Sequence, residues 1–229
     1  MRSRVPQPGR AVIEAVFWDI DGTLIDSEDL HYEVIADWCR QQGYSLNKED
    51  NEILLGKSMR EKWQHLSAVH GFNADLEQFC RECADRYCRA LQPGMERAET
   101  VAIFRQLAKR AVPLACVSNG DLQVVEANLA FLGLSDTVQF NISGEDVLGG
   151  KPSPEPYLLA AKRLGLDPAK CLAVEDSSVG VQSAVAAGMT VVAWPVAGTP
   201  RQDAYQAAQY LLDSEAGFPW ELFGSSAAG

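Results

Sequence analysis

Asp19 and Asp21 stand two residues apart in Trp18-Asp19-Ile20-Asp21-Gly22-Thr23-Leu24, directly after a short apolar run rich in β-branched residues. Two carboxylates at that spacing can share a metal ion and divide the work of nucleophile and proton donor. Gly22 lets the chain turn away sharply behind them. Ser118-Asn119-Gly120 closes a second apolar run and opens a helical stretch, where a hydroxyl, an amide and the first N–H groups of a helix make a cradle for phosphate. Lys151-Pro152 supplies a cation that would offset negative charge on both nucleophile and phosphate. Glu175-Asp176 ends a further apolar run, a place where acids are costly unless paired or bound to metal. Hard oxygen ligands of this type suit Mg²⁺, which keeps waters and bridges to phosphate. Each motif alone has a bland reading: a surface acid pair, a turn with a helix cap, a solvated lysine.

The elements that must position these residues follow a rhythm. Short apolar runs at residues 11–17, 112–117, 138–142, 171–174 and 190–194 read as strands. Helical stretches separate them: an apolar stripe through Ala98, Val101, Ala102 and Leu107, then residues 121–131 closed by Gly133. A third helix has Ser153 as N-cap, Pro154 at its first position and Gly165 at its stop, and a fourth covers residues 178–187 and stops at Gly188. Strands alternating with single helices predict a Rossmann-like α/β core, a parallel sheet with helices on both faces. In such sheets ligands collect beyond the carboxyl ends of the strands, which is where the motifs fall. Residues 27–93 break the rhythm. They contain no convincing strand but three amphipathic patterns, through Leu30/Val34/Trp38, Trp63/Leu66 and Leu76/Phe79/Cys83/Tyr87. The expected organisation is an α/β catalytic core of residues 1–26 and 94–229 with a helical cap of residues 27–93 inserted.

The composition narrows the function classes. In 229 residues, 20 basic and 31 acidic side chains leave a formal charge of −11, which repels nucleic acid and anionic membranes at long range. No segment approaches the roughly 18 uninterrupted apolar residues of a membrane span. The first eleven residues are polar, contain two prolines and read as a disordered lead-in without a signal-peptide core. A cytoplasmic monomer is the expectation. The six cysteines follow no disulfide-framework or zinc spacing.

Taken in this order, with a helical insert behind the first motif, Asp19-Ile20-Asp21-Gly22-Thr23, Ser118, Lys151 and Glu175-Asp176 resemble the haloacid dehalogenase-type phosphotransferases. Asp26-Ser27-Glu28, Lys151-Pro152-Ser153-Pro154 and Val174-Glu175-Asp176-Ser177-Ser178-Val179-Gly180-Val181 are similar to the branch holding β-phosphoglucomutase and small sugar-phosphate phosphatases. The similarity spans about residues 13–196. It implies that Asp19 attacks phosphorus to form an aspartyl-phosphate, and that Asp21 protonates the leaving alcohol and then activates water. It places Mg²⁺ on the carboxylates of Asp19 and Asp176 and the main-chain carbonyl of Asp21, with Glu175 nearby or through water. Ser118, Lys151 and Asn119 would hold the transferring group, and His31 and Arg60 match cap positions that face substrate. Neighbouring carboxylates are expected to raise the pKa of Asp21.

The expected activity is hydrolysis of a small phosphorylated metabolite: a sugar, polyol or sugar-acid phosphate. A phosphomutase of the β-phosphoglucomutase kind is the alternative, disfavoured because residues 82–91 lack the lysine that relative carries late in its cap. A phosphonatase would need a cap lysine as Schiff base, for which Lys48, Lys57 and Lys62 are available. Dehalogenases lack the second aspartate of the first motif, and a non-catalytic homologue would usually have lost one of these residues.

Overall fold

Ala15–Trp18 (β1) forms the centre of the sheet because its side chains alternate between two apolar layers. Val16 and Trp18 face one layer, Ala15 and Phe17 the other, and all four are fully buried. The computed structural model describes residues 12–54, 57–71, 75–200 and 202–224, with the side chains of residues 48, 51 and 52 excepted. The expected lead-in and the first residue of the first expected strand lie outside the described residues.

Leu114–Val117 (β2) and Cys171–Glu175 (β4) flank β1, and Asn141–Ile142 (β3), Thr190–Ala193 (β5) and Tyr210–Leu211 (β6) complete a six-stranded sheet of order β3-β2-β1-β4-β5-β6, with every pairing parallel. The third strand is shorter than the expected 138–142. The sixth went unforeseen, since two residues carry no periodicity. Helices Ala98–Lys109 (α5) and Leu122–Phe131 (α6) cover the Val16/Trp18 face, while Glu155–Leu164 (α7) and Ser178–Ala186 (α8) cover the Ala15/Phe17 face. The cap of α7 falls on Pro154 rather than Ser153, because Pro156 occupies the second helical position, where a missing N–H costs nothing.

Between β1 and α5 lie four helices: Glu28–Gln41 (α1), Lys48–Leu54 (α2), Met59–His70 (α3) and Leu76–Ala90 (α4). The short α2 was not among the three patterns anticipated. Together the four bury an apolar cluster of their own, built on Val34, Trp38, Leu66, Phe79 and Tyr87, to which α6 adds Val124. Ser58 caps α3 by a reciprocal box with Glu61, which marks the helix entrance. The two chain crossings that join this helical segment to the sheet run side by side. Ile25 bridges antiparallel to Glu96, the Asp26 N–H donates to the Met95 carbonyl at 2.7 Å, and the Arg97 N–H donates to the Leu24 carbonyl at 3.0 Å. No helix among the described residues is long and apolar enough to cross a membrane, and the six cysteines are free.

Candidate active site

Register brings the motifs together. Trp18 lies beside Cys116 on one side and Val174 on the other, so the residues that follow the three central strands (Asp19, Ser118, and Glu175 with Asp176) emerge at one carboxyl edge. Trp18 itself is a packing residue, fully buried with its ring 5.4 Å from that of Phe104. Carboxylate oxygens of Asp19, Glu175 and Asp176 lie within 4.8 Å of one another, the one such group among the described residues that could hold a metal. Asp176 is held from two directions: Thr23 Oγ1 donates to its Oδ1 at 2.9 Å, and the Tyr205 hydroxyl donates to its main-chain carbonyl at 2.7 Å. Gly22 has φ +79°, and a Cβ there would stand 2.2 Å from Asp176 Oδ2, so the turn requires glycine on both counts.

Lys151 arrives from the loop between β3 and α7. Its Nζ donates to Asp19 Oδ1 at 2.5 Å and to the Val117 carbonyl at 2.7 Å, and stands 2.6 Å from Glu175 Oε1. Burial works against its charge, but Asp19 and Glu175 outweigh burial and raise its pKa, so it stays cationic. Burial first, then Glu175 and Asp176, push Asp19 well above the ordinary carboxylate range, against the pull of Lys151. Burial and Glu175 push Asp176 up to about 7. Three acids packed this closely favour a cation among them.

Glu175 is fully buried and engaged by donors. The Tyr157 hydroxyl reaches its Oε1 at 2.5 Å and Ser177 Oγ its Oε2 at 3.3 Å. Sequence reasoning passed over Tyr157, whose place in the apolar stripe of α7 concealed its hydroxyl.

Asp21 points the other way. Its Oδ1 accepts from Ser27 Oγ at 2.8 Å and Asn128 Nδ2 at 3.3 Å and lies 3.0 Å from His31 Nε2, while Ser118 Oγ is 3.5 Å from its Oδ2. The expectation of a raised Asp21 is overturned. Burial does push it up, but the charge and hydrogen bond of His31, the Ser27 hydroxyl and the charge of Lys62 bring it to about 2. The cause is direction: the chain turns after Ile20, so this side chain leaves the carboxylate cluster for the first turns of α1.

A cavity of about 90 Å³ joins these groups, with Asp19, Asp21, Ser118 and Lys151 as its floor and Glu28, His31, Lys57, Lys62 and Tyr87 in its opposite wall. His31 lines this cavity, and Arg60 does not. Arg60 is exposed and lines a neighbouring open groove, together with Arg81. On α3 the cavity receives Met59 and Lys62, three residues apart and on one face, whereas Arg60 is turned about 100° away from Met59. Lys62 is 8% exposed, and burial lowers its pKa against the pull of Glu28 and Asp21. Its three-residue spacing from Met59 was the signal that could have found it. Asn119 borders the cavity, yet its side-chain amide serves the neighbouring loop: Oδ1 accepts from the Lys151 N–H at 2.8 Å and Nδ2 donates to the Lys151 carbonyl at 3.2 Å. Both ends of that amide engage the Lys151 main chain, which places Lys151.

The fold and the carboxyl-edge cluster of acids and one lysine define a hydrolase with a Rossmann-like parallel α/β core and a helical segment over its site. The family model for haloacid dehalogenase-like hydrolases matches residues 13–188, and the chain belongs to that family. Hexitol phosphatase A of Escherichia coli (strain K12) is 33% identical over 189 residues, covering 80% of this chain and 84% of that protein. Fructose-1-phosphate phosphatase YqaB of the same organism is 29% identical, covering 77% and 94%. The crystal structure of CbbY from Rhodobacter sphaeroides in complex with phosphate superposes with a TM-score of 0.80 at 25% identity, covering 89% of this chain and 95% of that one. The chain is an enzyme of the phosphoric monoester hydrolase type.

Proposed function

We propose that this chain is a Mg²⁺-dependent phosphatase that hydrolyses a small phosphorylated metabolite, a sugar, polyol or sugar-acid phosphate, through an aspartyl-phosphate on Asp19. The observation that carries the reading is Lys151 Nζ at 2.5 Å from Asp19 Oδ1, inside a cluster of buried Asp19 and Glu175 with partly buried Asp176. A carboxylate paired with a fixed cation beside metal-type ligands suits phosphoryl transfer, which asks mainly for positioning and charge neutralisation. The two E. coli relatives, a hexitol phosphatase and a fructose-1-phosphate phosphatase, support a sugar or polyol phosphate as substrate.

In this reading an Asp19 oxygen attacks phosphorus, the ester P–O bond breaks, and the leaving alcohol takes a proton from Asp21. Water then gives a proton to Asp21 and cleaves the acyl phosphate, releasing inorganic phosphate and free Asp19. The low pKa that His31 and Ser27 give Asp21 favours the ionised form that the second step needs. Ser118 and Lys151 hold the transferring group, and Asn119 holds Lys151. Asp19, Asp176 and Glu175, with the main-chain carbonyl of Asp21, would hold Mg²⁺, whose oxygen preference their buried acids fit. When bound, the ion neutralises charge on the phosphoryl oxygens. The helical segment of residues 27–93 acts as a cap, and the cavity beneath it limits the access of bulk water to the transferring group.

The test is phosphate release from a panel of sugar, polyol and sugar-acid phosphates, with Mg²⁺ and with EDTA, beside an Asp19→Asn variant. Metal-dependent release that is lost in the variant supports the reading. Isomerisation of glucose 1-phosphate without release would replace it with a mutase. Phosphonatase chemistry has Lys62 in the cavity wall in its favour, and borohydride trapping with a carbonyl phosphonate would reveal it.

A further inference from the structure

Asp21 is bound by residues from three elements, and one of them belongs neither to the motifs nor to the cavity wall. Asn128 lies in the middle of α6, fully buried, where the helical period would place an apolar residue. A buried amide needs partners at both ends. Its Nδ2 donates to Asp21 Oδ1 at 3.3 Å, and its Oδ1 accepts from the Tyr87 hydroxyl at 2.9 Å, a fully buried hydrogen bond. Tyr87 sits on α4, in the helical segment, and its ring stacks on His31 at 4.3 Å with an interplanar angle of 20°. His31 closes the circuit at 3.0 Å from Asp21 Oδ1. The Asp21 carboxylate is thus reached by two routes that both run through Tyr87, one by ring stacking and one by the Asn128 amide.

We infer that Asn128 and Tyr87 are positioning residues that set the orientation of the Asp21 carboxylate and tie that orientation to the docking of α4 on α6. Neither touches the reacting phosphorus. Tyr87 donates its hydroxyl proton to the amide oxygen, which leaves the amide nitrogen turned to the acceptor-only Asp21 carboxylate. When α4 lifts from α6, the Tyr87–Asn128 bond breaks and Asp21 loses two of its restraints together. The device couples proton transfer to a closed site and leaves Asp21 loosely held when the site is open to water. It rests on the phosphatase reading given above, and it adds residues and a coupling which that reading does not contain.

The experiment compares kcat/KM for an alkyl phosphate and for p-nitrophenyl phosphate in the wild type, Tyr87→Phe and Asn128→Leu, with Mg²⁺ present. An alkoxide needs the proton from Asp21 to leave, whereas nitrophenolate leaves without it, and kcat/KM reports the steps up to Asp19 phosphorylation. Tyr87→Phe should lower the alkyl value roughly tenfold and the aryl value by less than about threefold, and Asn128→Leu should widen the gap further. Equal loss on both esters would mean that the two residues serve only packing, and unchanged values would mean that Asp21 needs neither; either result overturns the proposal. Tyr87→Phe removes one oxygen atom and keeps the stacked ring, so it carries the test if Asn128→Leu does not fold. A wild type that releases phosphate from neither ester overturns the phosphatase reading itself, and the proposal with it.

Discussion

Around Glu175 the site has no slack, and single atoms there have readable consequences. A Cβ on Gly180 would lie 1.9 Å from Glu175 Oε2. In an exposed helix Gly→Ala stabilises by up to about 1 kcal/mol. Here Gly180→Ala should instead destabilise and cut phosphatase activity at least tenfold, because the carboxylate that holds Lys151 must move. Thermal unfolding and a phosphate-release assay on the purified variant check both directions. Tyr157→Phe makes a finer probe. It removes the hydroxyl that donates to Glu175 at 2.5 Å and leaves a buried carboxylate short of one donor, at a cost of about 1–3 kcal/mol. Urea denaturation should show that loss, with activity reduced but measurable.

The loop behind the nucleophile is buttressed by the start of α5. Arg97 donates to the carbonyls of Gly22 at 2.5 Å, Trp194 at 2.9 Å and Pro195 at 3.3 Å, and Thr100 Oγ1 donates to the Thr23 carbonyl at 2.7 Å. Thr23 in turn holds Asp176 through its hydroxyl. The start of one helix thereby ties together the Asp19 loop, the paired crossings at Ile25/Glu96 and the loop after β5. Arg97→Met keeps most of the apolar stem and removes the donors. It should cost about 2 kcal/mol in chemical denaturation and raise the Mg²⁺ concentration needed for half-maximal activity. Unchanged metal dependence would show that the buttress serves stability alone.

For the molecule as a whole, three acids crowd one site of an already acidic chain. A cation that binds only the folded form stabilises it by mass action, by about 2.7 kcal/mol at a hundredfold excess over Kd. Adding Mg²⁺ should therefore raise Tm, EDTA should reverse the rise, and Asp176→Asn should abolish most of it. A Tm indifferent to Mg²⁺ would count against Asp19, Glu175 and Asp176 as its ligands.

Much was legible from sequence order alone. An acid pair after a buried strand, Ser-Asn-Gly after the next, Lys-Pro before a helix and an acid pair at another strand's end name the chemistry because parallel sheets gather strand ends on one edge. Local periodicity likewise marked the core strands and most of the helices. Side-chain direction lay beyond it. That Asp21 leaves the carboxylates for His31, that Lys62 and not Arg60 enters the cavity, and that Asn119 serves the Lys151 backbone all depend on turns and helix rotation within an assembled core. Asn128 and Tyr157 read as ordinary helix residues until α4, α6 and α7 pack, because a buried hydrogen bond between residues 41 or 107 positions apart has no local signature. Residue types and strand order determined what chemistry this protein has to hand; only packing decided which atoms meet, since contact at three ångströms is set by how helices dock and not by their spacing in the chain.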